Sequence, residues 1–179
     1  DIYATHGLGP VAQALNIHRG DRMTSLVAMD TKSVQGKELV EAKTGKPCND
    51  FRNGDHTTTL IQTADRKVIE LQHDVMNPQP YSRLYQLTGT KGFANKYPIE
   101  GYAVDAKQLK ATGNAPKVDN LTSHEFMPDD QRKALEEKYE SPILKKFGKL
   151  AKEVGGHGGM DFIMCARLIY CLQNGLPLD

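Results

Sequence analysis

An α+β fold, with an open, mainly antiparallel sheet and helices packed on one face, is what the order of periodicities in this chain predicts. Three observations carry it. Two β-branched runs, 57–63 and 67–73, are separated by a short polar turn and read as an antiparallel hairpin. Helical spacing of apolar residues then returns behind Pro128 and again behind Pro142. The links between the strand-like runs are too short for parallel crossovers, so pairing is antiparallel. A sheet of this kind leaves one face open for a ligand or a neighbouring copy.

In chain order, Asp1-Ile2-Tyr3-Ala4-Thr5-His6-Gly7-Leu8-Gly9-Pro10 reads as a loop, and Pro10 suits the first turn of a short helix over 11–15. A turn at 16–21 leads to a first strand over 23–29 and a short amphipathic helix over 33–43, ended by Thr44-Gly45-Lys46-Pro47. After the hairpin, 84–94 reads as a strand that turns at 89–92 and continues. The stretch 97–120, broken by Pro98, Gly101, Gly113 and Pro116, reads as a surface excursion with room for one more short strand. Pro128-Asp129-Asp130-Gln131 opens a helix with acidic residues where the dipole favours them, and Leu135 and Tyr139 share one face of it. Pro142 opens another, with Ile143, Leu144, Phe147, Leu150, Ala151 and Val154 at helical spacing. It runs into Gly155-Gly156-His157-Gly158-Gly159-Met160-Asp161. The following run through Leu172 is apolar enough to predict a helix buried nearly all round, stopped at Asn174-Gly175.

The length of 179 residues suits one domain over 1–179. With 23 basic and 22 acidic residues, the chain has no large electrostatic footprint for nucleic acid or an anionic membrane. No apolar run approaches the roughly 18 to 20 residues that cross a bilayer. The first residues lack the basic-then-apolar order of a secretory signal, and localisation stays unassigned. Cys48, Cys165 and Cys171 read as reduced thiols without zinc or disulfide spacing. No G-x-G-x-x-G follows a strand-like run, so the chain carries no dinucleotide fingerprint of its own. Its abrupt, loop-like opening reads as though something upstream is missing.

Four groups of polar residues stand out. His157, among glycines at a helix amino terminus, is able to trade protons near neutral pH and to receive a ligand oxygen, or is a solvated residue in a connector. Tyr3-x-x-His6 brings a phenol and an imidazole toward one hydroxylated ligand, or satisfies backbone groups in a loop. Asn77-Pro78-Gln79-Pro80-Tyr81-Ser82-Arg83 presents a tyrosine and a guanidinium from a proline-stiffened loop, or is simply a rigid turn. His56 and His73-Asp74 flank the hairpin without the spacing of a metal motif, so no metal site is assigned. His18 and His124 read as surface residues.

Together, Tyr3 to Pro10, Pro80-Tyr81-Ser82-Arg83 with Gly89-Thr90-Lys91-Gly92, and Gly155 to Asp161 running into Leu168-Ile169-Tyr170-Cys171-Leu172 resemble the NAD-dependent α-N-acetylgalactosaminidases of glycoside hydrolase family 109. These lie within the superfamily of glucose-fructose oxidoreductase and inositol dehydrogenase, and the likeness is to the carboxy-terminal domain over nearly the whole chain. The resemblance implies that an amino-terminal Rossmann domain, absent from this chain, binds NAD, while this domain supports the sugar site and often an oligomer contact through its open sheet face. It implies hydrolysis of terminal α-linked N-acetylgalactosamine from a glycan by oxidation at C3, elimination, water addition and re-reduction, an exception to the two-carboxylate glycosidases. By position, Tyr3, Ala4, Thr5 and His6 would contact the sugar, with Tyr3 and His6 in catalytic roles. Tyr81 and Arg83 would meet it from the proline loop, and His157 would hydrogen-bond a ring hydroxyl. Ala4 stands where the family motif usually has proline. Relatives of the same architecture are plain sugar dehydrogenases, and a non-catalytic sugar-binding or dimerising domain is the third reading. The expectation common to the glycosidase and dehydrogenase readings is that Tyr3, His6, Tyr81 and His157 gather at one rim.

Overall fold

The β-branched runs pair as their alternation requires. In the computed structural model, which describes residues 4–111 and 122–178, β1 (Met23–Asp30), β2 (His56–Thr63) and β3 (Val68–Asp74) form an antiparallel sheet in the order β1-β2-β3. Register sets Ile61 between Leu26 and Ile69, and Thr59 between Ala28 and Leu71. Because side chains alternate, this set shares one face, while Val27, Met29, Thr58, Leu60, Val68 and Glu70 share the other. The first face is covered over β2 and β3, where Thr59, Ile61, Thr63 and Ile69 are buried, while its β1 member Leu26 is exposed. The second is open, with Val27, Met29, Leu60 and Val68 exposed.

Helix α1 (Thr5–Ala14) lies against β3. It begins well before the expected 11–15, and Pro10 lies inside it rather than at its start. The reason is tertiary. Gly7 approaches Leu71 so closely that a Cβ would overlap its side chain, and this contact outweighs a helix penalty of about 1 kcal/mol for glycine. His6 therefore sits in a helical turn, not on a loop entering one.

Helix α2 (Gln35–Thr44) starts on a carboxylate supplied from afar. Asp55 accepts from the backbone N–H groups of Val34 and Gln35, each at 2.9 Å, and Gly36 at 3.0 Å. These donors would otherwise be the orphans of a helix start. The strands β4 (Tyr85–Gly89), β5 (Gly92–Lys96) and β6 (Gly101–Ala103) form a second sheet in that order. The open antiparallel α+β class is thus found, with the strands divided between two sheets. Pro78 and Pro80, lacking ladder donors, separate β3 from β4. The excursion over 97–120 holds β6 and a short helix, α3 (Ala106–Ala111), and runs on into 112–120, outside the described residues.

Helices α4 (Asp129–Tyr139), α5 (Pro142–Val154) and α6 (Met160–Asn174) follow the expected order. Ser141 caps α5 by accepting from the Leu144 N–H at 3.3 Å. Phe147 of α5 meets Phe162 of α6 at 6.3 Å between ring centroids. The near-complete burial predicted for α6 is corrected: Cys171 is buried, but Met160, Met164, Leu168 and Leu172, spaced four apart, are exposed. The contact with α5 covers one side of the helix and leaves this stripe bare. Contacts divide the chain into one unit of Asp1–Thr88 with Ala94–Glu100 and a second of Gly89–Phe93 with Gly101–Asp179.

Candidate functional site

The glycine turn is built by backbone angles that only this composition tolerates. Gly155, Gly156, His157, Gly158 and Gly159 all have positive φ, and His157, at 47°, is the one member with a Cβ. The bend turns the chain from α5 into α6 through a single 3₁₀ turn, His157–Gly159. Gly159 is needed twice over: its φ is 98°, and a Cβ there would lie 2.7 Å from the backbone of the buried Ala151. The turn is thereby locked onto α5. His157 projects from it, 78% exposed, with its Nδ1 2.9 Å from Oδ2 of Asp161 in the first turn of α6. A carboxylate only accepts, so the ring donates through Nδ1. From the sequence Asp161 is read only as an acid at the helix start; the signal for the pair is its four-residue spacing from His157.

In the first unit, the loop carrying Tyr81 is tied down by Asp74 at the end of β3. Asp74 accepts from the backbone N–H of Met76 at 3.3 Å and of Asn77 at 3.1 Å, and from the Asn77 side chain at 2.7 Å. The Gln79 amide donates to the Asp74 carbonyl at 3.1 Å. Nδ1 of His56 lies 3.2 Å from the same carboxylate, and its Nε2 lies 3.1 Å from Thr58 Oγ1. Burial alone would push the Asp74 carboxyl up; the bonds from Asn77, His56 and Met76 outweigh it and hold the group below the ordinary carboxylate range. His56 and Asp74 thus serve as a loop anchor. Beyond that anchor, Tyr81 is 70% exposed, meets the edge of Tyr97 at 6.4 Å, and has the Arg83 guanidinium 5.8 Å from its ring centroid. An aromatic platform flanked by a forked donor suits a hydroxylated ring.

The remaining candidates are placed as follows. Ala4 is the residue before α1, Thr5 opens it, and His6 lies half-buried in its first turn. Tyr3 lies outside the described residues. Tyr81 and Arg83 are brought together, and His6 belongs to the same unit. His157 belongs to the second unit, where its partner is Asp161. A shallow concavity in the first unit is lined by Asp30, Asn53, Asp55, Thr57, His73 and Met76 among others, and by none of the predicted site residues.

A family model described as the C-terminal domain of glycosyl hydrolase 109 matches residues 1–179. The chain belongs to glycosyl hydrolase family 109. It is 74% identical over 179 residues to a family 109 protein 5 of Phocaeicola vulgatus, covering 100% of this chain and 34% of that protein. It is 59% identical to a family 109 protein 1 of the same species and 54% identical to a family 109 protein of Porphyromonas gingivalis, in each case over the whole chain and 38% of the relative. The family 109 chain thus spans about a third of the length of the curated relatives it matches. Its two small sheets are antiparallel, in an open α+β arrangement. Among the same residues, no group of three or more His, Cys, Asp or Glu is arranged to hold a metal.

Proposed function

We propose that this family 109 chain is the sugar-holding part of an NAD-dependent glycosidase that removes terminal α-linked N-acetylgalactosamine from glycans, NAD being held by another part of a longer polypeptide. The observation that carries the reading is the exposed His157 on its locked glycine turn, a polar group held in a costly backbone conformation where folding alone would be served by glycine. NAD, when bound, supplies a reversible hydride acceptor for C3 of the sugar. This chain's own residues hold and orient the ring. His157 takes a hydroxyl, Tyr81 and Arg83 offer the platform and fork described above, and Tyr3 and His6 complete the sugar contacts in catalytic roles. The open face of the β1-β2-β3 sheet, with Val27, Met29, Leu60 and Val68 exposed, supports self-association through that surface.

The test is turnover of an aryl α-N-acetylgalactosaminide by a polypeptide of the relatives' full length carrying this chain as its carboxy-terminal third. Release of the aryl alcohol with no growth of the reduced-nicotinamide absorbance supports the glycosidase. Accumulation of NADH with a keto-sugar replaces it with a sugar oxidoreductase of the same superfamily. Sugar binding without either product leaves a non-catalytic binding domain. The 179-residue chain alone neither binds NAD tightly nor turns over substrate in this reading; micromolar NAD binding by calorimetry contradicts it.

A further inference from the structure

The histidine of the glycine turn has its outward nitrogen decided for it by the residue four positions later. Nδ1 of His157 lies 2.9 Å from Oδ2 of Asp161. An ionised carboxylate has no hydrogen to give, so Nδ1 carries the proton, and in the neutral ring Nε2 is left as a lone pair. Free neutral imidazole prefers the opposite form, with hydrogen on Nε2. We propose that Asp161 is a positioning residue: it fixes His157 as the Nδ1–H tautomer and so presents Nε2 as an acceptor for a ligand hydroxyl. This rests on the reading that His157 meets the sugar.

Both ends of the bond are set by backbone. Asp161 N donates to the Gly156 carbonyl at 3.3 Å, as does Gly159 N at 2.9 Å, so the carboxylate is carried back over the turn. It lies so close that a Cβ on Gly156 would stand 2.9 Å from Oδ2. His157 is held at φ 47°, from which its ring reaches back to α6. The carboxylate is not occupied as an N-cap: that position belongs to Gly159, without a side-chain bond. The arrangement also selects among ligands. A bare Nε2 welcomes an O–H, while the Asp161 charge beside the ring opposes a carboxylate or phosphate. Neutral polyhydroxyl rings are therefore favoured over acidic or phosphorylated ones.

The tautomer is read directly from long-range proton–nitrogen spectra of this chain labelled with ¹⁵N-histidine, at a pH where the ring is neutral. The expected pattern for His157 is Nδ1–H, changing to Nε2–H in Asp161→Ala. An Nε2–H pattern in the unaltered chain, or no change in Asp161→Ala, overturns the proposal. In the full-length polypeptide, Asp161→Ala should lower kcat/KM by about tenfold or more. Asp161→Asn, whose amide oxygen still accepts, should recover part of the loss, and Asp161→Ala added to His157→Ala should cost nothing further. Full activity in Asp161→Ala alongside loss in His157→Ala overturns the positioning role. If neither variant loses activity, the glycosidase reading fails, and the spectra alone decide whether Asp161 sets the ring.

Discussion

A histidine at φ 47° followed by glycines at 68° and 98° stores strain that the rest of the turn must offset. At Gly159 the backbone angle and the 2.7 Å approach to Ala151 act together. Gly159→Ala is therefore expected to destabilise the chain by at least about 1 to 2 kcal/mol. Gly148, inside α5 with nothing within 4 Å of its missing Cβ, is the control: Gly148→Ala should stabilise by up to about 1 kcal/mol. Urea unfolding of the two variants checks the opposite signs expected at the two positions. The carboxylates set the pH dependence. Burial would raise Asp21, Asp55 and Asp74, but bonds from Lys67 and Thr63 to Asp21, from the α2 amides to Asp55, and from Asn77 and His56 to Asp74 hold all three below the ordinary range. A folded pKa below the unfolded one adds stability that is present above about pH 4 and is lost as pH falls through the depressed values. The unfolding midpoint should thus be flat with respect to these groups near neutrality and fall in acid, with a shallower fall in Asp55→Ala. At this scale His157, Tyr81 and Arg83 stand out in the sequence as candidates, because glycine and proline punctuate them. It named Asp161 and Asp74 but not the bonds they make to His157 and to the loop after β3, and it did not single out Tyr97, because an acceptor's partner or a ring edge leaves no mark of its own in composition.

The same contrast runs through the elements. The β1-β2-β3 sheet was legible from alternation, since Thr59, Ile61 and Thr63 point one way and Leu60 the other. Ile61, 3% exposed, fills the covered face, so Ile61→Ala should cost about 2 to 5 kcal/mol in urea unfolding. Leu60, 45% exposed on the opposite face, should tolerate Leu60→Ser without loss of monomer stability. If the open face joins copies, the same variant shifts sedimentation toward monomer. Helix α1 was misplaced because its glycines were weighed by propensity, whereas Gly7 is there for Leu71. Helix α6 shows a different limit. Its composition is that of a covered helix, and no pattern within one chain states which covering belongs to that chain.

For the molecule as a whole, the buried apolar residues among those described are few: Ile17, Ile61, Ile69, Ala103, Met127, Ala151 and Cys171. Against them stand the exposed stripe of α6 and the open sheet face. In relatives of which this chain covers 34–38%, further polypeptide is at hand to cover such surfaces. The chain alone is therefore expected to bind a hydrophobic dye more strongly, residue for residue, than the full-length polypeptide. Equal dye binding would show that the stripe stays bare in both. The functional claim is tested most directly by kcat/KM on an aryl α-N-acetylgalactosaminide for full-length His157→Ala and His6→Ala, beside His18→Ala at an exposed turn. The account predicts that the first two fall by about a hundredfold or more with melting temperature unchanged, and that the third does not move. Activity retained in both His157→Ala and His6→Ala would contradict it.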